Sequence, residues 1–276
     1  MSVSTPQLFF VFLKIGLLSF GGPAAQIALM HRMLVDERDW LTEKQFLNAL
    51  SFCMLLPGPE AMQLATYAGW RLHGVLGGLI AGLLFVLPGA AVIFALALLY
   101  VTYGDLPLVG TLFLGVQAVA VVIVVEALLK VSKRALHGTT HWVLAGLAFV
   151  AIFFFAVPFP VIVLAAGIYG ALVVTHADAT PALPVTVSAG RTLITILIGL
   201  AVWGLPVLAV DLLFGGTILT EIALFFSKLA VVTFGGAYAV LAYMAQDVVV
   251  QFGWLTPTEM MDGLGLAETT PGPLIL

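Results

Sequence analysis

Two lysines lie inside long apolar runs, and each precedes the same tripeptide by six residues: Lys14 before Phe20-Gly21-Gly22, and Lys228 before Phe234-Gly235-Gly236. An ammonium in hydrocarbon costs several kcal/mol unless it is paired, snorkels to an interface or faces water. Six helical residues span about 9 Å, so either ammonium reaches the glycines ahead of it. Pro23 follows the first glycine pair, and two Pro-Gly-Pro turns, Pro57-Gly58-Pro59 and Pro271-Gly272-Pro273, interrupt the chain elsewhere. Proline suits the first position of a helix, which has no use for an N–H, and the amides after it point outward. Such a helix start carries about half a positive charge and binds tetrahedral anions such as phosphate and sulfate. These residues therefore suit the holding of an oxyanion by backbone amides and a lysine. The candidate binding set is Lys14, Gly21, Gly22, Pro23, Pro57, Gly58, Pro59, Lys228, Gly235, Gly236, Pro271, Gly272 and Pro273.

Glu60 and Gln63 extend that set. With Tyr67 they share one helical face at i, i+3 and i+7, beside Thr66, and are expected to line the same cavity. Glu268 stands just before the second Pro-Gly-Pro. Each carboxyl is a place for a carried proton or, for Glu60, a helix-capping charge. Arg71 and His73 read as interfacial residues, Arg71 also as a point of anion access, and Glu126 with Lys130 as an i, i+4 pair. No Ser-His-acid set, phosphate-binding Gly-rich loop or zinc spacing stands out. Neither a catalytic residue nor a metal or other cofactor is expected. The single cysteine, Cys53, can form no intrachain disulfide.

The elements that position these residues are membrane helices. Of 276 residues 62% are hydrophobic and 9% charged, against about 25% charged in soluble domains, and the mean hydropathy is +1.17. Apolar segments run over roughly 8–34, 45–70, 75–101, 107–130, 142–156, 159–175, 191–213 and 218–245. Several reach the ~20 residues that a hydrocarbon core needs, and none shows the period-two alternation of a membrane barrel. The fold class is all-α: a polytopic transmembrane helical bundle with discontinuous helices. The N-terminal run, with Lys14 in its middle and no basic n-region, reads as a first membrane helix rather than a signal peptide. Non-helical backbone at membrane depth survives only where protein or a polar cavity satisfies it, so the breaks at Gly21–Pro23 and Pro57–Pro59 are expected to approach each other. Lys130, Lys133 and Arg134 mark a cytoplasmic loop, which places Arg71 and Arg191 inside as well. No nucleic-acid footprint exists; the partners are an anion, lipid and, as a possible coupling ion, the proton, with a homodimer as one open assembly state.

A constant offset of 214 positions, that between Lys14 and Lys228, also maps Phe20-Gly21-Gly22, Trp40-Leu41-Thr42 and Pro57-Gly58-Pro59 onto identical residues. Duplication is the reading, with a first repeat over 1–213 and the start of a second over 214–276. Nothing in the second corresponds to Gln63 through about Leu213, and a complete duplicated chain would reach roughly 400 residues. Repeats with facing broken helices are a recurring plan of secondary transporters. If 45–70 crosses the bilayer the copies are inverted; if it dips and returns they are parallel. Arg32, Arg38 and Lys44 have no basic counterpart near Asp247, which favours opposite sides and an inverted repeat, although inversion then puts those three residues outside.

The run FGGPAAQIALMHR from Phe20 to Arg32, Trp40-Leu41, LLPGPEAMQLATYAGW from Leu55 to Trp70 and GLLFVLPG from Gly82 to Gly89 resembles the chromate transporter family in its long, two-domain form. Ala237 departs from the pattern, which has proline there. The resemblance implies a multi-pass protein of the bacterial plasma membrane, an antiporter exporting chromate driven by the proton gradient and conferring chromate resistance. Sulfate, with the same charge and shape, or another oxyanion is the alternative substrate. A membrane enzyme acting on an anionic lipid through Glu60 and Lys14 is the alternative of another class.

Overall fold

The computed structural model describes residues 3–104, 106–136, 138–155, 157, 159–173, 189–233 and 238–273, and all regular structure among them is helical. In chain order the helices are α1 (Thr5–Leu18), α2 (Gly22–His31), α3 (Glu43–Cys53), α4 (Glu60–Tyr103), α5 (Pro107–Ala135), α6 (Thr139–Phe155), α7 (Phe159–Val173), α8 (Ala189–Phe214), α9 (Ile218–Val232), α10 (Tyr238–Gln246) and α11 (Pro257–Thr269). π-Helical turns over Arg32–Asp36 and Asp247–Gln251 extend α2 and α10. Among the described residues each expected apolar segment is largely helical, Gly21 precedes α2, and Pro57–Pro59 lies between α3 and α4. Two described stretches, Glu60–Tyr103 and Thr192–Phe214, are long and apolar enough to cross a membrane.

The chain forms two compact units, residues 1–141 with 232–276, and residues 142–231. In the second unit the Trp203 indole donates to Ser227 Oγ at 3.1 Å, joining α8 to α9. α6 buries none of its described side chains and turns Phe149, Phe153, Phe154 and Phe155 outward, an aromatic surface suited to hydrocarbon rather than water. The first unit holds the main core, where Leu8, Phe12 and Ile15 of α1 meet Leu64, Ala68, Ala81 and Phe85 of α4.

α4 is one helix only in name. At His73 and Gly74 the backbone leaves helical geometry, with Gly74 at φ 61°, ψ −150°, a region open essentially to glycine alone. The chain reverses there, and residues 60–72 lie back along residues 75–103. Only glycines allow the approach: a Cβ on Gly69 would stand 2.3 Å from the Gly77 carbonyl oxygen, and one on Gly82 2.6 Å from Thr66 Oγ1. α1 then packs along the longer arm. Pro88 has no N–H to offer the Leu84 carbonyl one turn back, and Gly16 of α1 fills the gap, its hypothetical Cβ lying 2.0 Å from that oxygen. The Gly16 Cα–H faces the otherwise unbonded carbonyl, a weak but real contact.

Both broken segments are hairpins. α1, with 14 residues, and α3, with 11, measure about 21 and 16 Å at 1.5 Å per residue, less than a crossing. Arg38 and Trp40, beyond α2, share a cavity with Pro6, Gln7, Phe10 and Val11 at the start of α1. The shorter arm of α4 ends at His73, whose Nε2 meets the Val3 carbonyl. The ends of 8–34 and of 45–70 therefore return to the same end of α1. Capping boxes start these helices: Ser4 with Gln7 opens α1, and Thr42 with Gln45 opens α3, each satisfying two amides that a helix start leaves free.

Gly16→Ala is expected to lower stability by about 1–3 kcal/mol, the usual cost of overpacking, read as an earlier thermal transition in detergent. Gly115→Ala, on α5 with open space around it, serves as the matched control and should be neutral or slightly stabilising.

Candidate functional site

The tips of the hairpins meet in one buried junction. Gly58 donates its N–H to the Thr233 carbonyl at 2.8 Å, and Gly272 donates its N–H to the Ser19 carbonyl at 2.8 Å. Thr233 follows α9 and Ser19 follows α1, so each Pro-Gly-Pro turn bonds to the break belonging to the other stretch of chain. Gln26 of α2 spans the junction. Its Nε2 donates to the Gly272 carbonyl at 2.6 Å and to the Ser19 carbonyl at 3.3 Å. Ser19, Gln26, Thr233 and Thr270 are all buried, while Gln63 closes its own turn by donating to the Pro57 carbonyl at 2.6 Å.

Equivalent local backbone recurs at the 214 offset. Gly58 and Gly272 have φ of 107° and 102°, and Asp39 and Gly253 have 53° and 63°. Trp40 N–H donates to the Leu34 carbonyl at 2.9 Å, and Trp254 N–H to the Val248 carbonyl at 3.0 Å. The Thr42–Gln45 capping box has its counterpart in Thr256–Glu259.

The expected site residues fare differently. The Gly58 and Gly272 amides, expected to be free for an anion, are engaged with carbonyls, and the flanking prolines have no N–H to give; these turns close the junction instead. The free helical amides nearby are those of the first turn of α4, behind the N-cap Pro59, where Glu60 sits buried. That is where helix amides favour a carboxylate. Gly21 is the left-handed N-cap of α2, and Gly22 and Pro23 open that helix. Lys14 lies on the exposed face of α1, five residues or about 7.5 Å along the axis from Ser19. Lys228 lies on α9 in the other unit, and Gly235 and Gly236 fall outside the described residues. The breaks are tied by crossed bonding, Ser19 with Gly272 and Gly58 with Thr233. Sequence reasoning passed over Gln26, which stands inside the conspicuous FGGPAAQ run, and the residues before each glycine pair, Ser19 and Thr233, which are themselves 214 apart.

Among the described residues no group of three or more His, Cys, Asp or Glu could hold a metal ion, and the junction offers backbone donors rather than a nucleophile. Broken helices whose Pro-Gly-Pro turns bond to each other's breaks fit an all-helical protein of the transporter kind. The profile of the chromate transporter family matches residues 6–171 and 220–276, and the chain belongs to that family, whose members are membrane-integral transport proteins rather than enzymes. It is 38% identical to a chromate transport protein of Pseudomonas aeruginosa over 99% of this chain and 65% of that one. It is 33% identical to a probable chromate transport protein of Synechococcus elongatus over 99% of this chain and 67% of that one. An uncharacterized transporter of Bacillus subtilis is 30% identical over 61% of this chain and 97% of its own length. The chain thus spans about two thirds of the longer relatives. No solved structure matches.

Gln26→Leu keeps the volume and removes both donors. Ser19 keeps the Gly272 N–H, but leaving the buried Gly272 carbonyl unmet costs about 1–3 kcal/mol, so this variant is expected to unfold at lower temperature in detergent than the parent, and Gln26→Asn to lie with it because the shorter side chain cannot span both oxygens.

Proposed function

We propose that the chain is the larger part of a secondary transporter that carries chromate across the bacterial plasma membrane through the hairpin junction, outward and against protons. The observation that carries this reading is the reciprocal bonding of the two Pro-Gly-Pro turns. If one operation relates residues 5–59 to 219–273, it turns the bond from Gly58 to Thr233 into the bond from Gly272 to Ser19. Applying it twice returns the start, which is the property of a two-fold axis. A duplicated pair about such an axis, with broken helices at the midplane, is the plan of alternating-access carriers.

The same geometry supports inversion. α1 starts beside His73, at one end of α4, and runs to Ser19. α11 lies beside Tyr100, at the other end of α4, and runs to Gly272. Two elements that meet at their tips from opposite ends of one long helix enter from opposite faces of the bilayer. Because both segments of the first copy are hairpins, Arg32, Arg38 and Lys44 share the face of Arg71, His73 and Lys133. All are then cytoplasmic, and the positive-inside rule and inversion no longer conflict. The first copy dips in from inside, the second from outside, and an anion is held at the junction by the amides opening α2 and α4, with Lys14 supplying full charge.

In liposomes carrying the full-length protein, chromate counterflow is expected, with sulfate as competitor; stronger counterflow with sulfate would transfer the assignment to a sulfate carrier. Lys14→Gln should weaken chromate binding about 10- to 100-fold, the worth of a charge-assisted hydrogen bond at about 1.5–3 kcal/mol, while inserting normally. A variant as active as its parent would show that Lys14 only snorkels.

A further inference from the structure

We infer that Asp262 is the residue that binds the coupling proton, an assignment that rests on the transport reading above. Asp262 lies in the middle of α11 and is 4% exposed. Its carboxylate receives two hydrogen bonds, from Tyr100 Oη to Oδ2 at 2.8 Å and from Gln117 Nε2 to Oδ1 at 2.6 Å. The residue is therefore clamped between α4 and α5. Both donors are neutral. No lysine or arginine occurs on α11 or on residues 75–103, and the charged residues of α5 begin with Glu126, nine residues and about 14 Å past Gln117. The other titratable groups on residues 75–103 and on α11 are Tyr103, Glu259 and Glu268, while Glu60, Tyr67, Arg71 and His73 lie on the shorter arm of α4. Glu259 is occupied in the Thr256 capping box.

A buried carboxylate met by two neutral donors, with no lysine or arginine among the described residues of α11 or of 75–103, is by default a functional candidate in a membrane protein. Its surroundings suit two protonation states. When Asp262 takes up a proton on Oδ2, the new O–H donates to Tyr100 Oη, whose hydroxyl turns from donor to acceptor, while Gln117 goes on donating to Oδ1. No hydrogen bond is lost, and the net charge of the site goes from minus one to zero. α11 carries that change to the junction directly, since Gly272 follows ten residues on and is itself bonded to Ser19. The position equivalent to Asp262 in the first stretch is Asn48, which cannot titrate, so this site has no titratable counterpart there.

The test uses the full-length protein in liposomes with chromate as the probe and a lumenal pH dye. The parent should exchange chromate and, under a pH gradient, accumulate it with matching proton movement. Asp262→Asn should lose the gradient-driven accumulation and the proton signal. Tyr100→Phe, which removes one of the two donors to Asp262, should change the pH profile of transport. Absence of chromate exchange by the parent overturns the transport reading itself. Exchange by the parent, with Asp262→Asn responding to the gradient as the parent does, overturns only the proton assignment. If Asp262→Asn does not fold, Tyr100→Phe decides, and an unchanged pH profile overturns the assignment.

Discussion

A backbone carbonyl at hydrocarbon depth has to meet a donor inside the protein, and the helix breaks meet that demand from each other. Ser19 and Thr233 end helices whose last carbonyls have no intrahelical partner. Gly58 and Gly272, at φ values that favour glycine, turn their amides to those oxygens. Proline on either side of each glycine removes competing N–H groups and ends the preceding helix. The junction is thus a closed exchange of donors and acceptors, and Gln26 completes it from α2 with both amide hydrogens. Remove the exchange and every broken helix ends in unmet polar groups.

The hairpins reach the junction because the surrounding helices come unusually close. Gly69, Gly77 and Gly82 let the two arms of α4 touch backbone to backbone, and Gly16 seats α1 on the carbonyl that Pro88 leaves free. In lipid there is no hydrophobic force between helices, so packing of this kind carries the association. The same small residues that look like flexibility in the sequence are contact surfaces in the fold.

Much of this was legible in the residues. Composition gave the all-helical membrane class, and the offset of 214 gave the correspondence that the dihedrals of Gly58 with Gly272 and Asp39 with Gly253 follow. What misled was length. The runs 8–34 and 45–70 are long enough to cross, and apolar content cannot tell a crossing from a hairpin that dips and returns. Only the neighbours do: Arg38 and Trp40 beside Pro6, and His73 beside Val3. The amides after Pro59 open α4 where the proline placed them, but a glycine between prolines reads equally as a donor for an anion or for a carbonyl. Asp262 was missed since 218–245 was the last apolar segment drawn.

On the inverted reading the two hairpin pairs are alike in backbone and unlike in charge, and that difference has a physical consequence. Two identical halves about a two-fold axis exchange roles at equal energy, so an alternating cycle has no intrinsic direction. The first copy carries Arg32, Arg38, Lys44 and Asn48; the second has no basic residue in its loop and carries Asp262 at the position of Asn48. A basic loop attracts an anion, and the exchange of Asn48 for Asp262 makes the halves unlike in titratable groups. Symmetry makes the two faces interchangeable enough to alternate, and the departures from it supply the asymmetry by which a proton gradient can set the direction of anion flow.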